Sequence, residues 1–372
     1  MFYEPDVAVI GGGPAGLMAA LTAAKAGAKV LLMERNGHLG GQLVKQTHKF
    51  FGSEKQHASV RGIAIAKTLE EELTSLDGLV DLWTDATAIG LYEDGVLTVD
   101  HQGAYKKIRP KRLIAATGAS EKFLTFPNND LPGVYGAGAV QTMMNVQGVK
   151  PGRRVLMIGA GNIGLIVSYQ LLQAGVEVAA IVEGLPFIGG YAVHASKIRR
   201  AGIPILTSHT ILEARGDQAV QSAVIAQIDA NWNILPGSER EVDCDVICIA
   251  VGLSPLAELL WMAGCDMRYI KELGGHVPLR NEKLETSVPG LYIAGDLTGI
   301  EEASAAMVEG RLAGLEAAAS LGFMTDQTPA ERQDCLDQLE SLRAGPAGDK
   351  IRSGLLKALI DDRHMEEVKD AG

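Results

Sequence analysis

The sequence predicts an α/β protein that contains two copies of one parallel-sheet fold. The first copy opens with an apolar run at residues 7–10, followed by a glycine turn with the spacing G-x-G-x-x-G at residues 11–16. A buried strand, a glycine turn and a helix in this order are typical of a Rossmann-like dinucleotide-binding fold. The pattern returns 148 residues later, with the same offset for all three glycines. The chain is therefore predicted to contain two such folds.

Each glycine of the first turn has its own physical role. Gly11 permits the tight turn, Gly13 leaves room for a pyrophosphate, and Gly16 lets the helix pack close to the strand. The helix N-terminus offers N–H groups and the positive end of a dipole to the phosphates. The second apolar strand ends on Glu34, about where a carboxylate accepts a ribose hydroxyl.

Length and composition favour a globular protein of two compact units. The chain has 372 residues, 47% of them hydrophobic, with 44 glycines and a net charge of −11. This charge makes a nucleic-acid surface unexpected. Glycines and lysines interrupt the apolar residues 7–32, so we expect no membrane span. The first strand begins within ten residues of the start and leaves no room for a signal peptide, so we expect a cytoplasmic protein.

The four cysteines predict neither a metal site nor a dithiol. Cys244, Cys248, Cys265 and Cys335 form no C-x-x-C pair and no zinc spacing. Cys244 and Cys248 lie before and within an apolar run, where inert core thiols are expected.

Between the two glycine turns the pattern predicts one helix and several strands. The helix is expected at about residues 59–75, and short strands with a turn at residues 93–95 follow. Residues 112–118 predict a strand that runs into a small-residue turn. The Pro-, Asn- and Gly-rich residues 128–134 predict a crossing between domains.

After the second turn the sequence becomes rich in strands and then in helices. A hairpin is expected around residues 216–217, a closing strand from Val246, and a further strand from Gly290. A helix of small residues is expected at about 302–321. The tail from Thr328 predicts two helices separated by residues 345–348.

These ordered motifs resemble the flavoproteins with two dinucleotide-binding domains, most closely those with the thioredoxin-reductase-like layout. The resemblance covers about residues 5–323. It implies that the second fold is inserted into the first: an FAD-binding domain at residues 1–120 and 256–325, an NAD-binding domain at 121–255, and a helical C-terminal extension at 326–372. The residues that match the family's FAD contacts are Gly11, Gly13, Gly16, Glu34, Arg35, Gly41, Gln42, Thr117, Gly118 and Asp296.

In the second fold, Gly159, Gly161, Gly164 and Glu183 match the family's nicotinamide-cofactor site. After Glu183 no arginine follows until Arg199. A 2′-phosphate would meet a carboxylate and no cation, which favours NAD(H) over NADP(H). The alternative is a vestigial site, or one that holds an adenine nucleotide as a structural ligand.

The sequence departs from the family in its redox chemistry. Residues 135–142, where thioredoxin reductases carry a C-x-x-C dithiol, contain no cysteine, and none follows Gly41 and Gln42. Because a thiolate relay requires cysteine, the disulfide-reductase, alkyl-peroxide and cysteine-based NADH-oxidase functions are excluded.

Residues 131–141 and 148–155 are similar to a narrower set of proteins. It comprises the α-type subunits of sarcosine, opine and proline oxidases or dehydrogenases, and the hydrogen cyanide synthase flavoprotein subunit. This similarity implies an oligomer whose partner is a second flavoprotein or an electron-transfer subunit. The tail has only Cys335, so we expect no cysteine-rich iron–sulfur module of the kind that many such subunits carry.

The catalytic residue remains unknown from sequence. Hydride transfer to flavin needs a donor carbon stacked on the ring, and no nucleophile or metal. His48 is a candidate acid/base and Phe51 a candidate ring contact, although both could simply pack or be solvated. The leading hypothesis is an FAD protein that exchanges hydride with NAD(H). The alternatives are a subunit of an amine or amino-acid dehydrogenase complex, and an assembly subunit with a structural flavin.

Overall fold

A computed structural model describes residues 2–50, 53–76 and 78–360, with the backbone alone at residue 347. The strands of these residues are, in chain order, β1 (Val7–Ile10), β2 (Val30–Met33), β3 (Val80–Trp83), β4 (Ala86–Leu91), β5 (Leu97–His101), β6 (Ala104–Ile108), β7 (Arg112–Ala115), β8 (Ala119–Glu121), β9 (Val134–Gly136), β10 (Arg154–Ile158), β11 (Glu177–Glu183), β12 (Ile205–Thr207), β13 (His209–Arg215), β14 (Ser222–Gln227), β15 (Arg240–Asp243), β16 (Val246–Ile249), β17 (Leu253–Pro255), β18 (Met267–Ile270), β19 (Gly275–Pro278) and β20 (Leu291–Ile293).

The α-helices of the same residues are α1 (Pro14–Lys25), α2 (Gly62–Thr74), α3 (Ala137–Asn145), α4 (Asn162–Gln173), α5 (Ala192–Arg200), α6 (Glu258–Met262), α7 (Ala303–Ser320), α8 (Thr328–Leu342) and α9 (Gly345–Lys357). Short 3-10 helices lie at Gly41–Lys45, Glu54–Gln56, Lys271–Leu273 and Gly295–Leu297. None of the helices described is long and apolar enough to cross a membrane.

The chain divides into two compact units. Of the described residues, those within 1–120 and 254–372 form unit 1, and those within 121–253 form unit 2. Each unit contains a five-stranded parallel sheet and a three-stranded antiparallel sheet. The fold class predicted from the sequence is thereby confirmed.

The two parallel sheets correspond in four of their five strands and differ in the fifth, which is β20 in unit 1 and β9 in unit 2. In unit 1 the order is β3-β2-β1-β7-β20, and in unit 2 it is β12-β11-β10-β16-β9. The central strands β1 and β10 are buried along their whole apolar length, as expected for a parallel sheet whose two faces are both covered. Strand β9 precedes its sheet in the chain, and no sequence signal predicted it.

The antiparallel sheets repeat as well. Strands β4, β5 and β6 form one in unit 1, and β13, β14 and β15 form the other in unit 2. Both predicted turns, at residues 93–95 and 216–217, lie between the first two strands of these sheets. The next connection differs: residues 102–103 join β5 to β6, whereas residues 228–239 join β14 to β15.

Small residues bring helix α7 very close to α1 in the core of unit 1. A Cβ atom on Gly310 would lie 2.0 Å from the carbonyl oxygen of Ala15, and one on Gly314 would lie 2.3 Å from that of Ala19. Only glycine permits this approach, so the position of α7 along α1 is fixed. The helix matches the small-residue helix predicted at 302–321.

The C-terminal helices pack onto unit 1. Cys335 and Leu339 of α8 belong to its main core, and Leu355 and Ala358 join a smaller cluster with Leu273. The predicted separator at residues 345–348 is wrong: these residues form the first turn of α9, since proline is tolerated at the start of a helix.

Candidate functional site

At two positions of the first glycine turn, neighbouring backbone atoms leave no space for a side chain. Gly11 has φ +105°, and a Cβ atom there would lie 2.3 Å from the carbonyl oxygen of Ala116. A Cβ atom on Gly16 would lie 1.8 Å from the carbonyl oxygen of Gly11. At Gly13 the nearest atom to such a Cβ, Cα of Gly41, is 3.9 Å away. Gly13 therefore leaves a cradle at the start of α1, of the kind that a pyrophosphate fills.

Glu34 is buried at the end of β2 and closes the turn. Its Oε2 accepts the N–H of Gly12 at 2.8 Å, and its Oε1 accepts the backbone and side-chain N–H groups of Asn36 at 2.9 and 2.7 Å. A carboxylate has about four acceptor positions, so capacity for a ribose hydroxyl remains. Arg35, beside it, is exposed.

The Gly-Gly-Gln loop folds back onto the glycine turn. The N–H of Gly40 donates to the carbonyl of Gly12 at 2.8 Å. Gly41 has φ +50°, and a Cβ atom there would lie 2.7 Å from Cα of Gly13. Gln42 is exposed in the 3-10 helix that begins at Gly41.

The structure gives His48 a stacking partner. It is half-buried, and its ring lies within 21° of parallel to that of Phe50, with 6.0 Å between the centroids. The candidate ring contact Phe51 lies outside the described residues. A catalytic role for His48 stays a prediction.

Thr117 and Gly118 form the turn after β7. The hydroxyl of Thr117 donates to the carbonyl of Leu256 at 2.7 Å, and the N–H of Leu256 donates to the carbonyl of Gly118 at 3.0 Å. Gly118 has φ +75°, and a Cβ atom there would have no other atom within 4 Å. The turn is thus fixed from one side and open on the other.

Asp296 lies on a short 3-10 helix that a buried carboxylate holds in place. Glu309 Oε2 accepts the N–H of Gly295 at 3.0 Å and the hydroxyl of Thr298 at 2.7 Å. Burial raises the pKa of Asp296 to about 7; the nearby carboxylates of Glu309 and Glu301 also raise it, whereas the N–H of Glu301 lowers it. Asp296 is therefore partly protonated near neutral pH and can donate as well as accept.

Arg343, at the end of α8, pairs with two carboxylates of this cluster. Its guanidinium donates to Glu301 Oε1 and Glu309 Oε1, both at 2.6 Å. Burial alone would lower the pKa of Arg343, but the two carboxylates raise it. Glu309, Glu301 and Arg343 were missed from the sequence, because they are up to 42 residues apart and match no short motif.

Unit 2 repeats the geometry of the first turn. Gly159 has φ +108°, and a Cβ atom there would lie 2.3 Å from the carbonyl oxygen of Ala250; one on Gly164 would lie 2.1 Å from that of Gly159. A Cβ atom on Gly161 would have no other atom within 4 Å. Gly161 is therefore the counterpart of Gly13 in unit 1, the glycine of the turn that the protein leaves open.

The acid of unit 2 also repeats its counterpart. Glu183 Oε2 accepts the N–H of Ala160 at 2.8 Å, and its Oε1 accepts the N–H of Leu185 at 3.0 Å. The loop after it returns to the glycine turn, since the N–H of Gly190 donates to the carbonyl of Ala160 at 2.9 Å. The pair Gly189-Gly190, which parallels Gly40-Gly41, was a readable signal that sequence reasoning missed.

The thiols of the chain are unsuited to redox relay. All four cysteines are free and buried. Burial raises the pKa of Cys244 to about 12 and those of Cys265 and Cys335 to about 11, and it raises that of Cys248 as well. A thiol of this kind carries almost no thiolate at neutral pH. Among the residues that the structure describes, no group of three or more His, Cys, Asp or Glu could hold a metal ion.

Two characterised relatives are similar to most of the chain. An opine oxidase subunit of Agrobacterium tumefaciens (strain Ach5) is 29% identical over 343 residues, which is 88% of this chain and 67% of the relative. Hydrogen cyanide synthase subunit HcnB of Pseudomonas aeruginosa is 25% identical over 359 residues, which is 91% of this chain and 76% of that relative. Both relatives are named as parts of larger enzymes.

Solved structures give the same result for the fold. L-proline dehydrogenase from P. horikoshii superposes with a TM-score of 0.70 and 25% identity, covering 91% of this chain and 60% of that one. Thioredoxin reductase of T. acidophilum superposes with a TM-score of 0.70 and 22% identity, covering 86% of this chain and 99% of that one.

A family model described as pyridine nucleotide-disulphide oxidoreductase matches residues 5–310. This match and the relatives confirm the resemblance predicted from the sequence. The chain therefore belongs to the pyridine nucleotide-disulphide oxidoreductase family, whose members are flavin-dependent enzymes that bind FAD and NAD(P).

Proposed function

We propose that unit 1 binds FAD, that unit 2 binds NAD(H), and that the enzyme passes hydride between NAD(H) and an unidentified acceptor without a redox dithiol. The observation that carries this proposal is the duplicated turn. In each unit a buried or half-buried glutamate accepts the N–H beside an open glycine at the start of a helix. The buried, high-pKa thiols support a route that uses no cysteine.

In unit 1 the chain's residues would bind and orient the cofactor. The N-terminus of α1 and the open side of Gly13 would take the pyrophosphate, and Glu34 would accept ribose hydroxyls. Asp296, held through Gly295 by Glu309, would bond the ribityl hydroxyls, with Gly41, Gln42, Thr117 and Gly118 around the ring. When bound, FAD supplies the hydride-accepting chemistry.

The assignment of FAD to unit 1 is tested by two matched substitutions. Asp296→Ala should reduce the FAD content of the purified protein, because it removes a proposed cofactor contact in unit 1. Glu183→Ala, in unit 2, should leave FAD content unchanged. Equal FAD content in both variants would contradict the assignment.

NAD(H) is the proposed nicotinamide cofactor of unit 2. Residues 184–190 carry no cation, and Glu183 would repel a 2′-phosphate. Glu183→Ala combined with Leu185→Arg should therefore shift the ratio of kcat/KM values toward NADPH. Glu177→Ala, at the exposed opposite end of β11, is the control and should not shift it. The alternative of a vestigial or structural nucleotide site predicts no nicotinamide-dependent flavin reduction at all.

A second candidate function is that of one subunit in an amine or amino-acid dehydrogenase complex. It is favoured by the two relatives, which are named as subunits of opine oxidase and hydrogen cyanide synthase. Co-purification of a second flavoprotein from the native host, with amine oxidation only in the mixture, would support it. An assembly subunit with a structural flavin is the third candidate, and flavin that no physiological reductant bleaches would favour it.

We further propose a cytoplasmic location, because all four thiols are free and a reducing compartment keeps them so. Cell fractionation of the native host tests it. Recovery outside the cytoplasmic fraction would contradict it.

A further inference from the structure

Unit 2 differs from unit 1 in one connection of its antiparallel sheet. In unit 1, residues 102–103 make a tight turn between β5 and β6. In unit 2 the equivalent connection, residues 228–239, is a hairpin closed by a bridge between Ile228 and Ile234. Since the two antiparallel sheets otherwise correspond strand for strand, this hairpin is an addition to the sheet of unit 2.

Backbone hydrogen bonds link the hairpin to Glu183. The carboxylate of Glu183 accepts the N–H of Leu185 at 3.0 Å, and the carbonyl of Leu185 accepts the N–H of Ser208, also at 3.0 Å. The carbonyl of Ser208 in turn accepts the N–H of Ile228 at 2.8 Å. The base of the hairpin is therefore held against the loop that follows the ribose-binding position.

The tip of the hairpin presents Trp232 to this same loop. A Cβ atom on Gly184 would lie 2.5 Å from the indole Cη2, so the ring rests on the backbone directly after Glu183. The side chain is nevertheless 60% exposed. An indole that is held by one edge and left open to solvent is a surface on which a planar ring can stack.

The backbone at Trp232 is in a conformation that a bulky residue rarely adopts. Its φ is +66°, in the left-handed region. Asp229 stabilises the turn: its Oδ1 accepts the N–H groups of Asn231 and Asn233 at 2.8 and 2.9 Å, and its carbonyl accepts the N–H of Trp232 at 3.1 Å. These hydrogen bonds therefore hold Trp232 at a fixed place in the turn.

We propose that Trp232 is the adenine-stacking residue of the nucleotide site in unit 2. The inference rests on the proposed function, because it takes Glu183 as the residue that binds the adenosine ribose. The ligand is an adenine nucleotide, whose base stacks on the indole while its ribose bonds Glu183. Base stacking on an aromatic side chain does not depend on the nicotinamide, so the residue contributes to affinity and not to hydride transfer.

Calorimetric titration of the FAD-loaded chain with AMP, ADP-ribose and nicotinamide mononucleotide tests the proposal. Trp232→Ala should weaken AMP and ADP-ribose binding about tenfold to a hundredfold, as loss of a base–aromatic stack does. Binding of the mononucleotide, which has no adenine, should not change. Trp232→Phe keeps a stacking ring and should stay within about threefold of wild type.

The control is Trp261→Ala, which removes an indole of similar exposure (54%) from unit 1 and should leave AMP affinity unchanged. Wild-type affinity for AMP in Trp232→Ala, or an equal loss in Trp261→Ala, would overturn the assignment of Trp232 alone. If the wild-type chain binds neither AMP nor ADP-ribose, the nucleotide site of unit 2 is itself wrong, and the assignment of Trp232 is wrong with it.

Discussion

Replacing Arg343 by methionine should destabilise unit 1 and weaken FAD retention together. The guanidinium is 11% exposed and lies 2.6 Å from both Glu301 and Glu309, which are 10% and 2% exposed. Methionine fills similar space but leaves two buried carboxylates without their nearest cation. Breaking a buried ion pair on one side costs about 3–5 kcal/mol.

The expected loss is large enough to measure by thermal unfolding. In a domain of this size, ~3 kcal/mol corresponds to a fall in Tm of about 6–12 °C. FAD retention should fall as well, because Glu309 accepts the N–H of Gly295 and thereby fixes the turn that carries Asp296. The double variant Arg343→Met with Glu309→Gln should recover part of the stability, since it removes one of the two carboxylates that lost Arg343; the other cation near Glu309, Arg280 at 4.0 Å, remains.

Two controls separate these effects. Lys25→Met breaks an ion pair between half-exposed side chains in unit 1 and should cost less than about 1 kcal/mol. Arg332→Met breaks the ion pair with Glu316 further along α7, away from Gly295, and should lower Tm without lowering FAD affinity. A Tm within about 2 °C of wild type for Arg343→Met, which would mean less than about 1 kcal/mol, would refute the reasoning.

Three further predictions concern the turns, the aspartate and the thiols. Gly161→Ala should leave the far-ultraviolet circular dichroism spectrum unchanged but weaken NAD(H) binding, because a Cβ there would meet no other protein atom within 4 Å and would occupy the proposed pyrophosphate position. Gly164→Ala should lower Tm instead, since its Cβ would lie 2.1 Å from a carbonyl oxygen. Equal effects of the two would contradict this. For Asp296, the pKa of about 7 exceeds that of the unfolded chain, so the stabilisation is complete below about pH 4 and is lost as the pH rises through 7. Urea unfolding of the flavin-free protein should show a steeper decline in wild type than in Asp296→Asn, where the raised pKa of Glu301 still contributes a decline; identical pH profiles would count against it. All four thiols should resist a thiol reagent in the native state and react on unfolding, and rapid native labelling would be inconsistent with their burial.

The parallel cores could be predicted from sequence because their signals are local. An apolar run, a glycine turn and a terminal acid lie within about 30 residues in each unit, and the structure pairs β1 with β2 and β10 with β11 accordingly. Strand β9 was missed, since three residues show no periodicity and its place in the sheet depends on a distant partner, β16.

The surroundings of the candidate site could be predicted less well, for a physical reason. The contact of Arg343 with Glu309 joins residues 34 apart, and it becomes visible only when α8 packs on α7. Trp232 likewise matches no motif in the sequence. Only its contact with Gly184 in the structure relates it to the nucleotide site proposed for unit 2. The cofactor roles of Gly13, Asp296 and the other matched residues stay predictions.

Anaerobic titration of the purified, FAD-containing protein with NADH tests the central proposal most directly. Stoichiometric bleaching of the flavin absorption band, with NADPH much less effective, is the predicted result. A flavin band that neither NADH nor NADPH changes would contradict the proposal that unit 2 delivers hydride to the flavin of unit 1.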